Sequence, residues 1–444
     1  MKNIKYIYVF LIVVISTLWL TTDPFFNQTY SFFALRAAMV NYTGLIGITV
    51  MSVAMMIAIR PAQIETWVGG LDKSYRLHKW LGITGLVVSI AHYLWAQGPK
   101  WAVQLGLLAR PERKHDGGRQ ALDTIEQFFR SMRHTAEGVG EWAFYAALVL
   151  MALALIKFFP YKYFFKTHRF IALAYLALVF HSFILINSAY WGTVTSVVMM
   201  PLLVGGSIGA FYSLFRKIGE NRRHKGQVTG ATYFKDNNVL KISIHIVDQW
   251  PGHKEGQFAF LTLDPNEGPH PFTISSSWKN DGKLEFMIKG LGDYTDQLPS
   301  LLKTGAFVRV EGPYGQFDFK GEQNRQIWVA GGIGITPFVS RLQGLAREKT
   351  KQAVDLFYST QSPDEGFIET IRTYAKEAGV TLHLIRTAED GLLDAQQIKK
   401  QVPDWDKSSV WFCGPKGFGQ ALKKDFTKEG LDSSRFHQEL FEMR

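Results

Sequence analysis

Apolar residues form long unbroken runs in the first half of the chain and short alternating runs in the second. The long runs fit six spans: Ile4 to Leu20, Phe33 to Ile59, Leu77 to Trp95, Trp142 to Phe159, Thr167 to Ile186 and Trp191 to Phe215. Each approaches or exceeds the ~20 residues that cross ~30 Å of hydrocarbon. Lys2 and Lys5 ahead of a short apolar core also fit a signal peptide. No small-x-small cleavage site follows, however, and Trp19 suits an interfacial anchor, so the run is expected to remain as a span. Within the polar segment Gln97 to Gly140, Thr124 to Met132 is expected to form a short helix on the outer surface. After Phe215 the string RKIGENRRHKG reads as a membrane-surface linker.

From Gln227 to about Lys320 the runs VLKISIHIV, QFAFLTL, KLEFMIKG and FVRVEG alternate with Gly, Asn and Asp turns, the pattern of a small antiparallel barrel. From Gln326 onward strands lead into helices instead: QIWVAGGIGITPFVSRLQGLAREK, VDLFYST with the helix after it, TLHLIRT, and SSVWFCGPKGFGQALKKDF. Such alternation implies a parallel, Rossmann-like sheet. The expected fold is a membrane all-α six-helix bundle over residues 1–216, an antiparallel β-barrel over 217–321 and an α/β lobe over 322–444.

A net charge of +11 raises nucleic acid as a partner, but the basic residues form no single patch interleaved with exposed aromatics. They flank the apolar runs: Lys2 and Lys5; Arg60, Lys73, Arg76 and Lys79; Lys157, Lys162, Lys166 and Arg169; Arg216, Lys217, Arg222 and Arg223. No nucleic-acid partner is therefore expected, and the partner that all these runs imply is the lipid bilayer. By the positive-inside rule these ends face the cytoplasm, which places both termini and the soluble half on the cytoplasmic side of a multi-pass inner-membrane protein. The segment from Gln97 to Gly140 then lies outside despite Lys100, Arg110, Arg113, Lys114, Arg119, Arg130 and Arg133; interspersed acids and its length weaken the charge rule there. A single cysteine, Cys413, excludes a disulfide framework and a multi-Cys zinc or iron-sulfur site.

Four histidines, His78, His92, His168 and His181, fall in the third and fifth spans, where polar groups are costly and usually functional. Each alone would read as a hydrogen-bonded core histidine. The spacings of 14 and 13 along two spans of the same direction change that reading, because each pair is separated by roughly 20 Å along its helix. His78 can then level with His168 near the cytoplasm, and His92 with His181 near the outside. Neutral imidazoles facing across a bundle suit axial ligation of haem iron better than sites for other metal ions, which usually recruit carboxylates. The spacing of 13 leaves its two side chains about 140° apart on a regular helix, so either the fifth span is locally distorted or rotamers and the placement of His168 near its start compensate.

This arrangement resembles the ferric reductase and NADPH oxidase superfamily. The resemblance implies two stacked haem b groups, ligated by His78 with His168 inside and by His92 with His181 outside. In SFFALRAAMVNYTG, Arg36 reads either as a snorkelling helix-end arginine or, by resemblance to the oxidases, as a group near the outer haem stabilising an anionic reduced species or a haem propionate. Those oxidases often carry a further histidine one turn after the outer ligand, where this chain has Ala96.

HPFTISSS, residues 270–277, would alone read as a strand with a polar edge, but it resembles the FAD-binding segment of ferredoxin-reductase-like modules. The resemblance assigns flavin contacts to His270, Pro271, Phe272, Thr273 and Ser275. It further makes IKGLGDYTDQL, with Gly292 and Thr295, a second flavin segment, and EGPYG the seam between the lobes. GGIGITPF ends a strand and opens a helix, so Gly331, Gly332 and Gly334 permit a tight turn, and the helix start favours a dinucleotide pyrophosphate. Thr336 and Pro337 match the family's version of this turn. FCGPKGF repeats the arrangement with Cys413, Gly414 and Pro415; Cys413 is either an inert buried thiol or, by resemblance, a neighbour of the nicotinamide. In HQELFEMR, Phe441 would stack on the flavin with Glu439 nearby, or else serve as a terminal core aromatic. FYSTQSPDE has Gln361 where family members that choose NADPH often carry a basic residue. Ser359, Thr360 and Arg386 remain to bind a 2′-phosphate, a reading that leans to NADPH and leaves NADH open.

The function so implied is transfer of electrons from NADPH or NADH through FAD and two haems to an acceptor outside: oxygen, giving superoxide, or a ferric chelate, or a periplasmic protein partner. The rival readings are a haem-binding electron relay or sensor that serves a protein partner, and a transporter with a regulatory flavin module. The spans show no helix-broken, charged midplane site of the transporter kind.

Overall fold

The computed structural model describes residues 2–27, 30–61, 65, 67–109, 124–156, 158–348 and 352–439. The chain forms two compact units, residues 1–68 with 73–218 and residues 69–72 with 219–444.

The first unit is helical: α1 (Lys2–Thr22), α2 (Phe32–Ala58), α3 (Leu71–Gln104), α4 (Thr124–Leu155), α5 (Tyr161–His168), α6 (Ile171–Leu185) and α7 (Val194–Leu214). Among the described residues five helices are long and apolar enough to cross a membrane: α1, α2, α4, α7, and α5 with α6 counted as one span. α3, which holds the third expected crossing, has 34 residues, but His78, Lys79 and His92 dilute its apolarity. Large apolar side chains such as Phe10, Trp142, Phe158 and Val197 point outward, as a lipid-facing surface requires. Close approach inside the unit rests on small residues. A Cβ on Gly209 would lie 2.5 Å from the Met55 carbonyl oxygen of α2, and one on Gly206 2.9 Å from Ser52 Cα.

One local expectation is corrected and another is met. Thr124 to Met132 is not a separate outer helix; it is the first part of α4, which runs on as one 32-residue helix. The fifth span is interrupted between His168 and Ile171, where Phe170 N bonds Thr167 O (2.9 Å) and Leu173 N bonds Phe170 O (3.1 Å). These i to i+3 bonds turn the chain by about 120° per residue rather than about 100°.

The second unit starts earlier than its strand pattern indicates. Arg223, in the basic string read as a linker, opens strand β1 (Arg223–Phe234) and pairs with Glu311 (3.2 Å). The antiparallel sheet has the order β4-β3-β6-β1-β2-β5, with β2 (Val239–Ile246), β3 (Phe258–Thr262), β4 (His270–Thr273), β5 (Lys283–Lys289) and β6 (Phe307–Tyr314). Its inward positions, including Ile242, Ile244, Leu261, Leu284, Phe286 and Val310, form one core. The second sheet, β11-β10-β7-β8-β9, is parallel and built of β7 (Arg325–Gly331), β8 (Ala353–Thr360), β9 (Thr381–Arg386), β10 (Ser409–Cys413) and β11 (Phe436–Gln438). Its order reverses between β7 and β10, the place where α/β sheets open a ligand crevice at their carboxyl ends. The lobes are joined by an aromatic cluster, Phe317 and Phe319 on Phe338 and Trp411, and by Gly256 N donating to Ser340 Oγ (3.1 Å).

Candidate functional site

The four histidines of the third and fifth expected spans meet in two pairs. His78 on α3 faces His168 at the end of α5 with ring centroids 6.0 Å apart, and His92 on α3 faces His181 on α6 at 6.3 Å. With metal–nitrogen bonds of about 2 Å, two imidazoles on opposite sides of one metal have centroids about 6 Å apart, so both pairs fit a shared iron. Backbone carbonyls set the tautomers. His78 Nδ1 lies 3.0 Å from Ala54 O, His92 Nδ1 3.1 Å from Val40 O and His181 Nδ1 2.8 Å from Ala136 O. A carbonyl only accepts, so each Nδ1 is the donor and each Nε2 keeps its lone pair for a metal. His168 stacks on Phe164, and its Nδ1 is buried without a hydrogen bond among the described residues. Among those residues no cluster of three or more His, Cys, Asp or Glu side chains is arranged for a metal, which leaves two-histidine sites.

Around His92 and His181 lies a cavity of about 1310 Å³ whose wall includes Arg36, Ala96, Arg133, Gly140 and Tyr190. Arg36 Nη2 donates to the Ala96 carbonyl at 2.8 Å, joining the two sequence-flagged positions. Gly140 gives way to the ligand ring: a Cβ there would sit 2.0 Å from His181 Nδ1. Gly140, the Ala136 carbonyl and Thr43, whose Oγ1 lies 3.1 Å from His92 Nδ1, were not singled out from the sequence. Nor was Asp23, a buried carboxylate that accepts from Tyr190 Oη (2.7 Å) and Asn41 Nδ2 (3.0 Å) in the cavity wall.

In the second unit β4 carries the segment His270 to Thr273, paired antiparallel with β3. Pro271 and Phe272 are half-buried, and the His270 ring stacks on Tyr294 at 4.9 Å. Burial pushes the His270 imidazole down to about 4 and the Tyr294 phenol up to about 12. Thr273 Oγ1 and Ser275 Oγ are buried without a hydrogen-bond partner among the described residues, a state native proteins reserve for ligands or water. His253 braces this segment from behind, with Nε2 2.8 Å from Ser276 O, a role the sequence did not reveal. Gly292 precedes a helix, α8 (Asp293–Leu301), and the Thr295 hydroxyl closes the loop by accepting from Leu291 N (2.9 Å) and donating to Gly292 O (3.3 Å).

The glycine turns after β7 and β10 pack on each other. A Cβ on Gly334 would lie 2.2 Å from Cys413 O, and one on Gly331 2.7 Å from Pro415 Cδ; beyond Gly414, Pro415 leads directly into the helix Lys416–Lys428. Gly332 adopts φ +56°, the left-handed region that a residue without a Cβ enters freely. Thr336 and Pro337 begin α9 (Thr336–Arg347), with Thr336 Oγ1 donating to Ile333 O (3.1 Å). Cys413 is fully buried; burial, followed by the charge of Glu439, pushes its thiol well above the ordinary range, so it is neutral. Phe441 lies outside the described residues.

Residues 43–179 match the family described as ferric reductase like transmembrane component, residues 225–318 an FAD-binding domain and residues 328–424 an oxidoreductase NAD-binding domain. The glycine betaine monooxygenase reductase subunit of Chromohalobacter salexigens is 25% identical over 205 residues, covering 42% of this chain and 56% of that protein. An NADPH oxidoreductase of Mycobacterium tuberculosis is 31% identical over 155 residues, covering 34% and 40%. The chain thus spans about half the length of these curated relatives. Among solved structures, the flavohem-like FAD/NAD binding domain of nitric oxide dioxygenase from Vibrio cholerae shares 20% identity at a TM-score of 0.43, covering 49% of this chain and 97% of that one.

Proposed function

From a chain with the architecture of the ferric reductase and NADPH oxidase type, a multi-pass transmembrane domain followed by FAD-binding and NAD-binding domains, we propose a transmembrane NAD(P)H-dependent oxidoreductase that reduces an acceptor outside the membrane. The acceptor is oxygen or ferric iron. The observation that carries the reading is the pairing of four intramembrane histidines at two depths, with three of the rings oriented by backbone carbonyls.

His78 with His168 would hold one haem b, and His92 with His181 a second. His270, Pro271, Phe272, Thr273 and Ser275, with Gly292 and Thr295, would hold FAD. The turn from Gly331 to Pro337, together with Cys413, Gly414 and Pro415, would hold the nicotinamide dinucleotide. When bound, flavin takes a hydride and releases single electrons, and haem iron carries them one at a time.

The chain's own residues orient and insulate. The Ala54, Val40 and Ala136 carbonyls fix three ligand rings. Neutral His270 and the neutral Cys413 thiol leave uncharged walls beside the flavin and nicotinamide sites. Arg36 supplies a positive charge in the wall of the outer cavity, where negative charge would develop on a reduced acceptor. With six crossings, both termini and the second unit lie on the cytoplasmic side.

The test is vectorial transfer in sealed vesicles that carry the full chain, with a membrane-impermeant ferric chelate trapped inside. Reduction of the trapped chelate by nucleotide added outside supports the reading. Reduction confined to acceptors on the nucleotide side contradicts it. Cytochrome c reduction that is insensitive to superoxide dismutase would count against oxygen as the acceptor.

A further inference from the structure

In a parallel sheet of this order a dinucleotide crosses the carboxyl ends of the strands, with its phosphates at the glycine turn. Here the turn follows β7, so the adenosine end lies toward β8 and β9, which finish at Thr360 and Arg386. The two rim segments there, residues 359–365 and 386–391, contain Asp364, Glu365, Glu389 and Asp390 against one cation, Arg386. Their formal balance is one positive and four negative charges, or −3.

That cation is already engaged. Arg386 Nη2 donates to Glu365 Oε1 at 2.7 Å, and its backbone N–H donates to Asp390 Oδ2 at 2.8 Å. Two threonine hydroxyls at this rim are also engaged. Thr360 Oγ1 is turned to Ser362 O (3.2 Å), and Thr387 Oγ1 donates to Thr360 O (3.0 Å). A phosphate monoester brings about two negative charges, and this rim lies well within a Debye length of about 8 Å from any group docked on it. The Glu365 side chain is 68% exposed, so the ion pair is weak in itself, but separating it adds an unneutralised carboxylate to an acidic rim. A ribose 2′-hydroxyl, by contrast, donates to a carboxylate oxygen.

We propose that the electron donor is NADH, the dinucleotide without a 2′-phosphate, and that Glu365 sets this choice by engaging Arg386 and presenting a carboxylate to the ribose. The inference rests on the nicotinamide-dependent reading above, and it reverses the leaning to NADPH drawn from Ser359, Thr360 and Arg386 in the sequence.

The experiment measures kcat/KM of the full-length protein in detergent for NADH and for NADPH, at one ionic strength, with ferricyanide as acceptor. Wild type should favour NADH by about tenfold or more, mainly through KM. Glu365→Gln should lower kcat/KM for NADH and raise it for NADPH, and adding Ala388→Arg should extend the rise. A merely structural Glu365 would lower both. Wild type that uses NADPH as well as NADH, or a Glu365→Gln variant with an unchanged ratio, overturns the inference alone. Absence of turnover with both nucleotides while flavin remains bound overturns the donor reading and the inference together.

Discussion

Gly140 and His181 offer a substitution that should remove one ligand site and leave the other intact. A methyl group on Gly140 would stand 2.0 Å from His181 Nδ1 and 2.5 Å from its Cε1 and Cγ, whereas ordinary contact begins at 3.4 Å. In Gly140→Ala the ring must therefore retreat by about 1.4 Å (3.4 − 2.0), against the ~0.2 Å tolerance of a metal–ligand bond. The same retreat disrupts the 2.8 Å bond from Nδ1 to Ala136 O. Loss of such an outer partner alone costs about 10- to 100-fold in metal affinity, or roughly 1.4–2.8 kcal/mol. The assay is the haem-to-flavin ratio of the purified full-length variant, read from haem and flavin absorbance. The ratio should fall from about two to about one, while nucleotide-driven ferricyanide reduction persists and reduction of the external acceptor drops. Gly82→Ala, whose Cβ would meet only Met151 Cε at 3.9 Å, serves as the control and should keep both haems. Two low-spin haems per flavin in Gly140→Ala, with unaltered acceptor reduction, would refute the reasoning.

His168→Leu should remove the inner haem and isolate the outer one, so dithionite reduces the remaining haem and nucleotide does not; reduction by nucleotide at the wild-type rate would contradict the pairing. For His270, burial lowers the folded pKa to about 4 from 6.5, so the unfolded chain binds more protons between those values. The stability it contributes is complete above about pH 6.5 and is lost as pH falls toward 4; thermal unfolding should be less pH-sensitive between 7 and 5 in His270→Gln than in wild type. Gly334→Ala forces a methyl to 2.2 Å from Cys413 O, an overpacking of about 1–3 kcal/mol where the two glycine turns meet. Anaerobic flavin reduction should then show a raised KM for the nucleotide with flavin still bound, and an unchanged KM would remove the turn from the dinucleotide site.

Five of the six expected spans and the split into helical, antiparallel and parallel parts were legible because apolar run length and period report burial directly. The expected crossing on α3 shows where such reading thins: His78 and His92, proposed to serve the site, are among the residues that lower its apolarity. On a regular helix the 13-residue spacing of His168 and His181 puts the rings on different faces, and the break at Arg169 and Phe170 changes their relative orientation. The histidine spacing pointed to a distortion or a compensating placement, and the backbone bonds locate the break at Arg169 and Phe170. Carbonyl partners such as Ala136 O were hidden, because every residue carries a carbonyl and only the fold selects one. The glycine turns were readable as turns, but their contact with each other depends on the crossover that places β10 beside β7. Arg386 looked like a phosphate ligand in the sequence, and only its 2.7 Å contact with Glu365, 21 positions away, shows it engaged.

The central claim is that two histidine pairs each hold a haem that receives electrons from the flavin. Its most direct test is the absorption spectrum of the purified full-length protein in detergent, oxidised and then reduced with NADH. The account predicts low-spin b-type bands at about two haems per flavin, fully reduced by the nucleotide. A flavin-containing protein without haem would contradict it.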